Sequence, residues 1–193
     1  MINRARVIDF FTAVDRAFAR ETNQSGKIFL VGETTQLIEG WQRWNTQVDF
    51  FAVIDSSVQD AFDSALASVS SDAGVRAVNE FPGDVVPLPE GFEERVRSLS
   101  DPSWCRDLRL TIQHFDPYSV CYRFIMRGSE TDYDLVLRFL EHSWISESEL
   151  DSRLEKLLPE LTFETIQQDP AELRRRYAGL KQMWTARQVV QPQ

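Results

Sequence analysis

The sequence predicts an α+β fold: a small mixed sheet with flanking helices, followed by a helical C-terminal part. Three observations carry this. Over the first 115 residues, short apolar runs rich in strand formers alternate with segments of helical periodicity. Beyond Phe115 only helical periodicity remains. The chain has 193 residues, 42% hydrophobic and 26% charged, which is the balance of an ordinary globular protein with one sizeable core or a core plus a helical annex. The expected organisation is therefore an α/β core over residues 1–115 and a helical part over 116–193 packed on it, since no Gly/Ser-rich linker separates them.

In the first helix, residues 3–20, Val7, Phe10, Phe11, Val14, Ala17 and Phe18 recur at three- and four-residue steps with charges between them. The polar run 23–26 breaks it, and residues 27–32 (K-I-F-L-V-G) read as the first strand. A second helix over 33–44 follows from Leu37, Ile38, Trp41 and Trp44 at helical spacing. Residues 47–54 (Q-V-D-F-F-A-V-I) read as a second strand, 57–69 as a helix and 75–81 as a third strand. Pro82, Pro87 and Pro89 then forbid regular pairing, so an extended loop is expected. Residues 107–114 alternate with period two, as a half-buried strand does. Helices are expected over 117–126, 131–142, 147–158 and 170–189, two of them opened by the start signal Asp-Pro.

Composition narrows the function classes. A net charge of -9 repels phosphate backbones in the mean, so nucleic acid is disfavoured as a partner. Two cysteines, far from any C-x-x-C spacing, and two histidines support neither a disulfide framework nor a zinc site, and a reducing, cytoplasmic setting is expected. The opening residues reach Asp9 and Asp15 before any long apolar run, so neither a signal peptide nor a membrane partner is expected. Arg174, Arg175 and Arg176, with Lys181 and Arg187, make the one basic cluster. Adjacent arginines on a helix point to different sides, so a solvated helix with a Glu172 pair is expected over a binding patch. Most of the five tryptophans and 13 phenylalanines fit core positions better than stacking surfaces, and His114 and His142 lack a nucleophile pattern beside them.

One short constellation goes further. Val31-Gly32-Glu33 follows a strand and opens a helix, and the next strand brings Gln47-Val48-Asp49. This order resembles the nucleotidyltransferase superfamily of polymerase-beta-like fold, whose signature is hydrophobic-Gly-Gly/Ser, a helix, then Asp-hydrophobic-Asp on a strand. The segment V-G-E-T-T-Q-L-I-E-G-W-Q-R-W-N-T-Q-V-D-F is similar to small bacterial nucleotidyltransferase-like proteins related to toxin–antitoxin systems of the AbiE kind. F-P-G-D-V-V-P-L-P-E-G-F-E-E-R and R-G-S-E-T-D-Y-D resemble later blocks of the same group, so the likeness runs from about residue 27 to about residue 177.

The resemblance implies a nucleotide site built on Gly32, Glu33, Thr34, Gln47 and Asp49, with Asp49 as metal ligand and magnesium as cofactor if the protein is active. Two carboxylates two residues apart on a strand share a face, roughly 6 to 7 Å apart, and together hold the metal. Here Gln47 replaces the first acid and supplies no charge. Glu33 stands where a small residue lets the phosphates approach the helix start, either adding a negative charge there or serving as an ordinary first-turn helix residue. Phe124 stands where related proteins often carry lysine. Arg123 and Arg127 are the nearby substitutes, with pairing to Asp132 and Asp134 the competing role. Candidates for a third metal carboxylate are Glu80, Asp84 and Asp107.

These departures lead to the expectation of a degenerate, catalytically weak or inactive nucleotidyltransferase-like protein. It would bind nucleotide weakly, need no cofactor, and act as a binding or regulatory module for a protein partner. The alternative is an active magnesium-dependent enzyme transferring a nucleoside monophosphate to a protein, RNA or small-molecule acceptor. Oligomeric state is left open.

Overall fold

The computed structural model describes residues 1–161 and 169–190. The fold is α+β, with a four-stranded mixed sheet, flanking helices and a helical C-terminal part. The chain forms two compact units. One comprises Met1–Phe81 and Val96–Phe115, and the other Pro82–Arg95 together with the residues from Asp116 onward.

The first unit begins with α1 (Arg4–Glu21), capped by Asn3, whose side chain accepts the Arg6 N–H at 2.9 Å. Strand β1 (Gly26–Leu30) pairs antiparallel with β2 (Val48–Val53) and parallel with β4 (Leu110–His114), while β3 (Ala77–Asn79) pairs parallel with β2. The strand order is β3-β2-β1-β4. Alternation along the strands divides the sheet into two faces. Ile28, Leu30, Val48, Phe50, Leu110 and Ile112 are buried and join Val7, Phe10, Phe11, Val14 and Phe18 of α1 in one core. Phe11 meets Phe50 edge-on at 5.7 Å between ring centroids. Helix α3 (Gln59–Ala73), entered through a 3-10 turn at Ser56–Val58, adds Phe62 and Ala65 to this core. The opposite face carries Phe29, Phe51 and Phe115 in mutual ring contact, with Asp49 two residues before Phe51 on the same side. The buried Asp15 carboxylate on α1 accepts the Leu110 N–H at 2.8 Å, satisfying a donor on the edge strand β4.

Helix α2 (Gly32–Ile38) is shorter than the helical spacing of Trp41 and Trp44 predicts. Gly40 ends it with φ +78°, and the Trp41 N–H turns back to the Gln36 carbonyl at 2.8 Å, the hydrogen bond of a Schellman cap. The tryptophans beyond the cap leave the helix, and Trp44 is 54% exposed, which corrects its expected core role.

In the second unit, α4 (Pro117–Arg127) starts at Asp116, whose buried carboxylate accepts the Tyr118 and Ser119 N–H groups. Ser129 and Asp132 form a capping box that opens α5 (Glu130–Glu141), and Ser146 caps α6 (Glu147–Leu157). Helix α7 covers Pro170–Val190. The expected extended loop contains 3-10 turns at Pro82–Asp84 and Phe92–Arg95. Arg95 fastens it: Nε and Nη2 donate to Asp116 at 2.9 and 3.0 Å, and the guanidinium also reaches the carbonyls of Glu90 and Pro89. Among the described residues, no helix is long and apolar enough to cross a membrane.

Candidate functional site

The site is built where β1 ends. Val31 leaves the strand extended, and Gly32 turns the chain into α2 with φ +53°, a conformation that side chains disfavour. The Val31 N–H donates to the Asp49 carbonyl at 3.3 Å, which brings this turn beside β2. The Asp49 N–H in turn donates to the Thr34 hydroxyl at 2.7 Å, and Thr34 is fully buried. Gly32, Glu33, Thr34, Gln47 and Asp49 are thus gathered around one strand-to-helix turn in the first unit.

The chemistry centres on Asp49, which is half-buried. Burial is the main cause that lifts its carboxyl from the usual 3.8 to about 6, and the negative charges of Glu33 and Glu80 push the same way. The side-chain amide of Gln47 opposes them by donating from Nε2 to Asp49 Oδ1. Asn45 also favours the charged form, although its buried Nδ2 has no partner in hydrogen-bond geometry among the described residues and its Oδ1 accepts the Thr46 N–H. Gln47 therefore presents an N–H group to Asp49. Glu33 bears electrostatically on Asp49, so its charge acts in the site as well as at the helix start. Of the proposed third carboxylates, Glu80 acts on Asp49, and its N–H donates to the Phe50 carbonyl at 2.9 Å. Asp107 is exposed in the first unit and Asp84 is exposed in the second.

Arg123 and Arg127 lie on α4 in the second unit. Arg127 pairs with Asp132 at 3.4 Å and lies over the Phe124 ring. The basic residues of α7 are engaged with acids: Arg174 with Glu155, Arg175 and Arg176 with Glu172, Lys181 with Asp151 and Glu147, and Arg187 with Asp134 and Glu141.

Sequence reasoning passes over His114. It is fully buried, with Nε2 2.8 Å from Glu39 Oε1 and Nδ1 3.2 Å from Thr35 Oγ1. Burial works to raise the Glu39 pKa but is outweighed by hydrogen bonds from His114 and Ser100, which hold it at about 2. No local pattern announces this cluster, because its members lie 61 to 79 positions apart. Comparisons of the chain with protein-family models, with curated proteins and with solved structures find no match.

Proposed function

We propose that this protein is a nucleotidyltransferase-like domain with a depleted metal and phosphate site, working as a binding or regulatory module for a protein partner. The carrying observation is the Gln47 amide donating to Asp49 Oδ1 at the position where a catalytic domain needs two metal-binding carboxylates. Supporting the family reading are the order β1, Gly32, α2, β2 with Asp49, and the backbone bond from Val31 to Asp49 across the turn.

Magnesium demands near-octahedral oxygen ligands and is bound through ionised carboxylates and phosphates. At this site an amide N–H faces the carboxylate, and that carboxylate is half-protonated near pH 6. Among the described residues, no three Asp, Glu, His or Cys side chains converge to hold a metal ion. The residues present do not fit a magnesium pair. What Asp49 offers instead is a polarised carboxyl flanked by amides and acids, suited to hydrogen bonding with a donor group of a partner.

The test is calorimetry of the full chain with ATP and with CTP, each with and without magnesium. It is paired with incorporation of labelled nucleotide into protein, RNA and small hydroxylated acceptors. The expected result is neither micromolar magnesium-dependent binding nor transfer. Robust transfer abolished by Asp49→Ala would overturn the reading in favour of an active magnesium-dependent nucleotidyltransferase.

A further inference from the structure

Helix α2 has seven residues, too few to hold a fixed place by its own hydrogen bonds. Two neighbouring threonines tie it to the sheet on both sides of β1. The Thr34 hydroxyl accepts the Asp49 N–H on β2 at 2.7 Å, and Thr35 Oγ1 meets His114 Nδ1 on β4 at 3.2 Å. The same imidazole reaches the C-terminal end of the helix, where Nε2 lies 2.8 Å from Glu39 at the C-cap. Glu39 is ionised and only accepts, so Nε2 carries a proton and Nδ1 faces the Thr35 hydroxyl.

The ring is itself held firmly. The His114 N–H donates to the Arg97 carbonyl at 2.8 Å, and the Arg97 N–H returns to the His114 carbonyl at 3.1 Å. The Glu39 carboxylate also accepts the Ser100 N–H and hydroxyl. Segment 97–100, β4 and the middle and C-cap of α2 are therefore parts of one hydrogen-bonded frame around a fully buried ring.

We propose that His114 is a positioning residue for the Asp49 site: anchored on β4, it fixes the middle and the C-cap of α2 through Thr35 and Glu39, and so sets where Glu33 and Thr34 stand beside Asp49. Its relevance to function rests on the reading above, but the placement itself is independent of any ligand. Losing the Thr35 contact loosens the middle of α2, while its C-terminal end keeps the Arg4 bond to the Ile38 carbonyl and the Ser100 bonds to Glu39. The motion then falls on Thr34, the partner of the Asp49 N–H.

The experiment is amide hydrogen exchange by NMR on the full chain, comparing the natural sequence with Thr35→Val, Thr35→Ser and His114→Gln. In Thr35→Val, which removes a hydroxyl at nearly constant volume, exchange at Asp49, Glu39 and Trp41 is expected to quicken by about tenfold relative to Phe62 in α3, the effect of losing one buried hydrogen bond. Thr35→Ser, which keeps the hydroxyl, restores slow exchange. His114→Gln gives the same selective pattern if it folds, and Thr35→Val decides the matter if it does not. Uniform quickening across α1, α2 and α3, or an unchanged Asp49 amide in Thr35→Val, overturns the proposal. The readout contains no nucleotide, so nucleotide binding with selective loosening of α2 would refute the proposed function and leave this inference standing.

Discussion

The Gln47 side chain, in the bend just before β2, donates from Nε2 to Oδ1 of Asp49 on that strand, so the amide and the carboxyl that define the site are bonded to each other. An amide N–H partner stabilises the ionised form, yet burial and the charges of Glu33 and Glu80 outweigh it and raise Asp49 to about 6. Asp49 is thus a carboxyl whose environment works against its charge.

That imbalance predicts a pH-dependent stability. Between about pH 4 and 6 the folded chain binds the Asp49 proton more tightly than the unfolded chain, so stability falls as pH rises through this window. Above it, the ionised carboxylate costs roughly 1 to 3 kcal/mol, the lower end reflecting partial solvent access. Asp49→Asn keeps an oxygen for the Gln47 amide and removes the charge. Urea denaturation at pH 7.5 should find the variant more stable by about that amount, with the gain vanishing near pH 4. An equal difference at both pH values would show that ionisation is not its source.

The elements defined by local rules are legible in the sequence. Helix α1 follows from its apolar period, β4 from alternation, and α4 from Asp116-Pro117, whereas the Ser129–Asp132 capping box that starts α5 goes unread. The end of α2 is misread because Trp41 and Trp44 continue the helical spacing, while the backbone reverses at Gly40. The neighbourhood of Gly32, Thr34 and Asp49 is legible because a strand, turn, helix and strand bring it together within 18 residues. The bonds that join Thr35 and Glu39 to His114, Glu39 to Ser100 and Asp15 to Leu110 span 61 to 95 positions, and no periodicity encodes such pairings.

Thr34 makes a second prediction. Its buried hydroxyl is the acceptor for the Asp49 N–H, so Thr34→Val leaves a poorly solvated donor without a partner. A loss of about 1 to 3 kcal/mol is expected in urea denaturation, and Thr34→Ser should recover most of it. Equal losses in both variants would assign the effect to packing of the methyl group.

Gly32 tests the turn itself. A β-carbon at φ +53° meets the strain of the left-handed region, so Gly32→Ala should cost about 1 to 2 kcal/mol. Because the turn also carries the Val31 bond to Asp49, the Val31 amide should lose protection from hydrogen exchange in the variant. Unchanged stability and exchange would mean that the turn relaxes without strain.

Arg95 and Asp116 supply the last test, in the second unit. The carboxylate has no exposed side-chain surface and receives a two-pronged guanidinium contact, as well as the N–H groups that start α4. Removing Arg95 leaves that charge buried with only neutral donors, a loss that reaches about 3 to 5 kcal/mol when no compensation exists. The capping bonds from Tyr118 and from the Ser119 N–H and hydroxyl reduce it, so a smaller value is expected for Arg95→Ala. Asn caps a helix about as well as Asp, and Asp116→Asn therefore removes the charge while keeping the cap. In that background Arg95→Ala still forfeits its bonds to the Pro89 and Glu90 carbonyls, but it no longer strands a buried anion. A double-mutant cycle in urea should show the cost of Arg95→Ala falling by roughly 2 kcal/mol, the coupling of a desolvated pair. A coupling near zero would make Arg95 a fastener of the loop carbonyls alone, with the Asp116 charge satisfied by the helix start.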